Sequence, residues 1–279
     1  MRPQLARRRK IRLRDFTNIL AGAMARPFLA IAAALMLACM AAPVAQAQSS
    51  LAAKLATGRL AAVEPGTYQA GDSIEFMLDD EGTHYLLRFA GNPEVFVLYS
   101  DHASLGGRVL KYDSGETALQ VTGWGGITLY TDNRPGGLPA VRMGDSTPPS
   151  RPDVSLDEVK SAAADEAQHL AYLRRLNLSF SADWNALSQN AALRALCFET
   201  LENAARGIDR FAQGPAGRNT LEAHVSAVLV ATSGKPTMQL KGKSLTVTFD
   251  PDKGYAGRAS SRAIAHALAT IFHVKPKAK

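Results

Sequence analysis

Short segments in which apolar and polar residues alternate run from about residue 67 to residue 141, a pattern typical of β-strands. In the first of them Ile74, Phe76 and Leu78 share one face, as alternate residues of a strand do. Further segments bounded by Gly, Pro, Asn or Asp are predicted as strands: 85–89, 95–99, 108–112, 117–121 and 127–131. The spacing predicts an antiparallel meander of about six strands in a small sandwich or barrel.

A proline-rich segment separates this region from one with helical spacing. Residues 144–152 carry three prolines and no apolar period, which predicts a linker. Ser155 and Glu158 then have the spacing of a capping box, and the residues up to about 176 favour a helix. A second long helix is predicted over residues 184–211, where apolar residues recur at helical spacing.

The last part of the chain mixes both types of element. Residues 224–231 and 244–249 are predicted as strands, and residues 258–272 as a helix with Ile264 and Leu268 inward. The fold class is therefore α+β, with a β-rich half followed by an α+β half that contains two long helices. The predicted parts are a signal peptide, a β-rich domain, a linker, an α+β domain and a basic tail, with these bounds: 1–47, 48–143, 144–152, 153–273 and 274–279.

The N-terminal segment is typical of a cleavable export signal. An apolar run from Pro27 to Met40 precedes Ala45-Gln46-Ala47, and cleavage is predicted between Ala47 and Gln48. The run is about 14 residues, or roughly 21 Å as a helix, which is shorter than a hydrocarbon core of about 30 Å. We therefore expect a bacterial periplasmic protein with no transmembrane anchor after processing.

Three alternatives at this end stay open. Translation can begin at Met24, since Arg26 and the apolar run suffice for a compact signal. Leu37-Ala38-Cys39 is a poor lipobox that would make the protein a lipoprotein through Cys39. The Arg-rich start also has features of a mitochondrial transit peptide.

Removal of the signal changes what the charge implies. The whole chain carries a formal net charge of +7, but eight Lys and Arg and one Asp lie before Ala47, which leaves 24 basic and 24 acidic residues. The basicity thus belongs to the discarded segment, and nucleic-acid binding is excluded on this ground. Residues 48–150 are acidic, with 7 basic and 12 acidic side chains, and residues 151–279 are basic, with 17 and 12.

Residues that commonly carry catalysis give little signal here. Cys197 is the one thiol left after processing and lies on the apolar face of a predicted helix, which favours an inert core residue. The histidines show no metal-binding spacing, and neither a metal nor a cofactor is predicted. His266 shares a predicted helix face with Arg262, which is interpreted as a solvated stripe. Asp101-His102, after a strand, is a weak candidate for a general base.

The strongest candidate for a binding site is Gly123-Trp124-Gly125-Gly126. Three glycines in four residues lose conformational entropy on folding, so they suggest bulges or a close backbone approach. Trp124 is then either a platform for a ligand or a core residue at a strand bend. Both interpretations stay open at the level of sequence.

The stretch from Lys111 to Val141, with Tyr-Asp-Ser-Gly-Glu-Thr at 112–117 and Gly-Trp-Gly-Gly at 123–126, resembles an uncharacterised family of exported alphaproteobacterial proteins that carry a domain of unknown function. The resemblance supports the periplasmic compartment and implies no active-site residues. Our leading hypothesis is a non-enzymatic periplasmic module that binds an envelope component or another protein through the surface around Trp124. The alternative is a cofactor-independent hydrolase with a site between the two halves.

Overall fold

The computed structural model describes residues 63–274. The predicted signal peptide, its cleavage site between Ala47 and Gln48, the alternative start at Met24 and the lipobox at Cys39 lie outside the described residues. The same holds for residues 275–279 of the basic tail. The described residues, 63–274, belong to one compact unit.

The β-rich half is a closed antiparallel barrel of eight strands, in which each strand pairs with its neighbours in the chain and β8 pairs with β1. The alternation predicted from the sequence places large side chains inside, where Tyr68 and Phe76 stack with ring centroids 5.2 Å apart. The strands are β1 Gly66–Ala70, β2 Ile74–Asp80, β3 Tyr85–Phe89, β4 Val95–His102, β5 Arg108–Tyr112, β6 Thr117–Val121, β7 Ile127–Thr131 and β8 Arg134–Gly144.

Strands β1 and β8 are additional to the six strands that the sequence pattern predicts. The residues of β8 include Pro135, Gly136, Gly137 and Pro139, a composition that normally marks a turn. Pairing on both sides, with β7 and with β1, compensates for this low strand propensity. Closure of the barrel is therefore a property of strand pairing that local composition does not reveal.

The C-terminal half combines five α-helices with a four-stranded sheet of order β11-β12-β10-β9, in which β10 is parallel to both β9 and β12. Its core packs the sheet against the longest helix, α3. The helices are α1 Leu156–Arg174, α2 Trp184–Gln189, α3 Ala191–Phe211, α4 Pro215–His224 and α5 Ser261–Ile271, and the strands are β9 Ser179–Ala182, β10 Ala227–Thr232, β11 Met238–Lys241 and β12 Ser244–Phe249.

Some sequence predictions for this half need correction and others are confirmed. The capping box at Ser155 and Glu158 is present at the start of α1. The predicted helix over 184–211 is two helices, because the Asn190 side chain accepts hydrogen bonds from the first amides of α3 and starts a new helix there. The predicted strand over 224–231 begins later, because His224 is the last residue of α4.

The barrel has two ends with different surroundings. The hairpins β1–β2, β3–β4, β5–β6 and β7–β8 lie at one end, which contacts the C-terminal half and is called the proximal end below. The hairpins β2–β3, β4–β5 and β6–β7 lie at the opposite, distal end. Val63, three residues before β1 begins, is buried in the barrel core, so the chain also enters the barrel at the distal end.

Candidate functional site

Two loops of the distal end lie against each other. A Cβ atom at Gly123, in the β6–β7 hairpin, would be 2.7 Å from the carbonyl oxygen of Leu105, in the β4–β5 loop. Real Cβ atoms do not approach an oxygen this closely, so position 123 requires glycine. The Gly-rich stretch that the sequence marks is therefore explained in part by the close approach of two loops.

The β6–β7 hairpin holds Trp124 at the outside of a tight turn. Thr122 N–H donates to the Gly126 carbonyl and Gly125 N–H donates to the Thr122 carbonyl, both at 2.9 Å. Gly125 has a φ of 88°, which side chains with a Cβ rarely adopt. The Trp124 side chain is 97% exposed, so the interpretation of this residue as a core plug is wrong.

Leu105 is the neighbouring apolar side chain and is 98% exposed. Its φ of 57° lies in the left-handed region, which is unfavourable for a residue with a branched side chain. A large apolar residue that is both strained and fully in water does not contribute to folding. We call Leu105 and Trp124 the distal apolar pair.

The surroundings of the distal apolar pair carry little positive charge. The three distal loops, residues 81–84, 103–107 and 122–126, contain no Lys or Arg, and Glu81 supplies a negative charge. Asp80 closes the first of these loops by accepting a hydrogen bond from Gly82 N–H at 2.7 Å. Arg108, the first residue of β5, directly follows the second loop and offsets this charge, so the distal end presents its apolar side chains on a nearly neutral background.

Asp101 and His102 also lie near the distal end, at the end of β4. They are adjacent in a strand, so their side chains point to opposite faces and do not form a pair. Lys111 Nζ lies 2.7 Å from Asp101 and lowers the pKa of that carboxyl. An exposed carboxylate with a lowered pKa is a weak base, and the geometry gives no support to a catalytic role for these residues.

The proximal end is held by three consecutive residues at the start of α5. Ser260 donates through its N–H and hydroxyl to Asp113, and Ser261 donates in the same way to Glu94, with both Ser261 contacts at 2.7 Å. Amide groups in the first turn of a helix have no partner within the helix, so the two carboxylates satisfy them. This α5 docking segment, Ser260–Arg262, attaches the helix to the barrel.

Arg262 completes the α5 docking segment. Its guanidinium lies 2.6 Å from Glu116 and 2.8 Å from Asp132, and it stacks over the Tyr112 ring at 4.4 Å. The interpretation of Arg262 as part of a solvated stripe is therefore wrong. The segment contacts the β3–β4, β5–β6 and β7–β8 hairpins together, and it had no signal in the sequence because its partners lie about 130–167 positions away.

A polar cavity of about 320 Å³ lies beside this junction. Its lining includes Glu94 from the barrel, Glu166 and His169 from α1, and Arg206 and Arg210 from α3. Burial raises the pKa of Glu166. Arg206 is paired with Glu202 at 2.9 Å and Arg210 with Asp132, so the arginines are already neutralised. Neither the distal apolar pair nor Asp101 and His102 line this cavity.

A second cavity of about 670 Å³ lies along α4 and α5, with Phe211, Ala265 and Ala269 in its apolar wall. Its charged rim includes Arg262 of the α5 docking segment and the partner of that arginine, Asp132. The charges at this rim therefore serve the junction between barrel and helices.

Cys197 is buried in the core of the C-terminal half, and burial raises the pKa of its thiol to about 12. At neutral pH such a thiol is protonated and a poor nucleophile. Within residues 63–274 no group of three or more His, Cys, Asp or Glu side chains is placed to hold a metal ion. No helix of the same range has the length and apolar character needed to cross a membrane.

The buried carboxylate of Glu94 makes stability depend on pH in a definite direction. Burial raises its pKa more than the contacts with Ser261, Arg206 and Arg210 lower it, so the native state binds a proton here more readily than the unfolded chain. The stabilisation is complete below the unfolded pKa, about 4.3, and is lost as the pH rises through the higher native pKa. Asp113 acts in the same direction, and the lowered pKa of Asp132 acts in the opposite one.

Glu94→Gln should remove the pH dependence of stability that Glu94 causes, and it keeps an oxygen acceptor for Ser261 N–H. We expect the free energy of unfolding of the variant, relative to wild type, to increase between about pH 4 and pH 7, because only the wild type loses the contribution of a protonated Glu94. Urea unfolding at several pH values measures it, and contributions from Asp113 and Asp132 cancel in the difference. A difference that is constant over this range would contradict the assignment.

Comparisons with known proteins give a family and no function. The family model of a domain of unknown function, DUF4908, matches residues 47–268. No curated protein and no solved structure matches the chain.

Proposed function

We propose that this chain, which belongs to the DUF4908 family of domains of unknown function, is an exported, non-enzymatic module that binds the bacterial cell envelope through its distal apolar pair. The observation that carries the proposal is the pair itself: Leu105 and Trp124 are 98% and 97% exposed on two loops that are fixed against each other. Large apolar side chains exposed on loops that lie against each other mark interaction sites.

Export to an alphaproteobacterial periplasm is part of the proposal and rests on the sequence. The apolar run from Pro27 to Met40 and the small residues before Gln48 support it. In the periplasm, the surfaces available for contact would be those of the cell envelope. The opposite end of the barrel is occupied by α5, which leaves the distal end as the accessible one.

The proposal predicts that binding to envelopes depends on two side chains. The chain starting at Gln48 contains the whole compact unit and should sediment with an envelope fraction from alphaproteobacterial cells. Trp124→Ala and Leu105→Gly should each reduce the apparent affinity about tenfold or more, as expected for apolar residues at the centre of a contact. Glycine suits the left-handed φ of residue 105, so Leu105→Gly removes the side chain without straining the loop.

Tyr172→Ala is the matched control. Tyr172 is also a large exposed side chain, 85% accessible, but it lies on α1 in the other half of the molecule. Its replacement should leave sedimentation unchanged. Equal losses for Tyr172→Ala and Trp124→Ala would indicate general stickiness and would contradict a specific contact at the distal end.

A hydrolase with a site between the two halves is the second candidate, favoured by the polar cavity beside the junction. Glu166 and His169 are one helical turn apart on α1 and both line it, and the raised pKa of Glu166 suits a proton donor. Turnover of a peptidoglycan or lipid fragment would then be lost in Glu166→Gln and retained in Trp124→Ala. Under the first candidate, sedimentation with envelopes is lost in Trp124→Ala and retained in Glu166→Gln.

A further inference from the structure

We infer that the envelope component bound by the distal apolar pair is the lipid bilayer itself, and that Trp124 and Leu105 insert into the interfacial region of a surface rich in zwitterionic headgroups. The inference rests on the proposed function and names its partner. Three independent features of the described residues support it: the shape of the distal end, its charge, and the point where the chain enters the barrel.

The shape of the distal end suits a lipid surface better than a protein partner. A stable protein contact buries about 800 Å² on each side, with anchors surrounded by a rim of further contacts. The distal apolar pair instead projects from two narrow loops whose other residues are mostly Gly, Ala, Ser and Thr. A bilayer interface accepts such a projection without a complementary pocket, and tryptophan is enriched at that depth.

The charge of the distal end indicates which lipids are bound. Juxtamembrane segments that recognise anionic lipids carry clusters of Lys and Arg, and the three distal loops have none. The acidic Asp80 and Glu81 are offset by Arg108 at the start of β5, so this end has no excess of positive charge to attract an anionic surface. Contact with a zwitterionic surface requires no such attraction, so binding should not weaken as salt is added.

The path of the chain would keep the distal end on the membrane side until the predicted cleavage after Ala47. Val63 is buried at the distal mouth of the barrel, so the residues before it join the barrel at the same end as Leu105 and Trp124. The apolar run from Pro27 to Met40 lies in that preceding sequence. While this run holds the chain at a membrane during export, the distal end is the end of the barrel to which the tether is connected.

Protein-free vesicles of phosphatidylcholine and phosphatidylethanolamine test the inference. In the chain from Gln48 with Trp184→Phe, Trp124 is the remaining tryptophan, and its emission should shift to shorter wavelength on addition of vesicles. Brominated acyl chains should quench it. Co-flotation should persist at high salt and fall about tenfold or more in Trp124→Ala and in Leu105→Gly, because each removes apolar area that leaves water.

The controls separate this inference from the proposed function. Tyr172→Ala should float with vesicles as the wild type does. Absence of a spectral shift together with retained sedimentation on envelopes would overturn the lipid assignment and leave a protein partner for the same surface. Salt-sensitive binding to anionic vesicles alone would overturn it as well. If the wild-type chain does not sediment with envelopes, the proposed function is overturned, whatever the result with vesicles.

Discussion

Replacing Arg258 with methionine should lower the free energy of unfolding by about 3–5 kcal/mol, the largest effect that we expect from a single substitution. The Arg258 side chain is 3% exposed. It pairs with Glu199 of α3 at 2.9 Å, donates to the Val95 carbonyl of the barrel and stacks on the Tyr255 ring at 5.0 Å. Its removal leaves the carboxylate of Glu199 largely buried with no compensating charge.

A second variant separates charge from packing. Replacing both Arg258 and Glu199 with methionine removes the stranded carboxylate, so the double variant should be about 1–3 kcal/mol more stable than the single one. The matched control is Lys111→Met at the exposed pair with Asp101, where we expect a change below about 1 kcal/mol. Urea unfolding measures all three variants. A loss for Arg258→Met no larger than for Lys111→Met would show that the buried pair contributes little.

Gly207→Ala should destabilise the protein by about 1–3 kcal/mol, although the same change within an isolated helix would stabilise it by about 1 kcal/mol. A Cβ atom at position 207 of α3 would lie 2.5 Å from Cγ2 of Ile264 and 3.0 Å from the carbonyl oxygen of Ser261 in α5. The two helices therefore cross in direct contact at this glycine. The sign of the effect distinguishes packing from helix propensity.

Two comparisons make the result specific. In the presence of Ile264→Ala, the added methyl group occupies space that the smaller side chain vacates, so the double variant should show a favourable coupling energy. Gly136→Ala, at a position where no atom lies within 4 Å, should be neutral or slightly stabilising. Thermal unfolding of Gly207→Ala, Ile264→Ala, their double variant and Gly136→Ala gives the four values. A stabilising Gly207→Ala would refute the close crossing of α3 and α5.

The sequence pattern predicted those elements whose signal is local. The strand over Ile127–Thr131 and the capping box at Ser155 are present as predicted, because alternation and capping depend on residues a few positions apart. Strand β8 was missed, since its prolines and glycines are tolerated only through pairing with β1 and β7. The break at Asn190 was missed because an asparagine within an apolar period has two readings, a helix interior or a cap.

The residues of the candidate site also fall into those that a local sequence signal marks and those that it does not. Trp124 was recognised because its glycine neighbours are unusual, and its exposure excludes the interpretation as a core residue. Leu105 gave no signal, because a leucine in a loop is unremarkable until its left-handed backbone and its contact with Gly123 are known. The carboxylates at the junction were likewise not predicted. Asp113 belongs to the Tyr-Asp-Ser-Gly-Glu-Thr stretch, but its role depends on Ser260, which lies 147 positions away.

The α5 docking segment has a consequence for cooperativity. The Ser260 and Ser261 amides at the start of the last helix donate to carboxylates of the barrel, so separating the two halves leaves these amides without their acceptors and two buried carboxylates without their donors. Damage to either half is thereby transmitted to the other, and the halves lose their structure together.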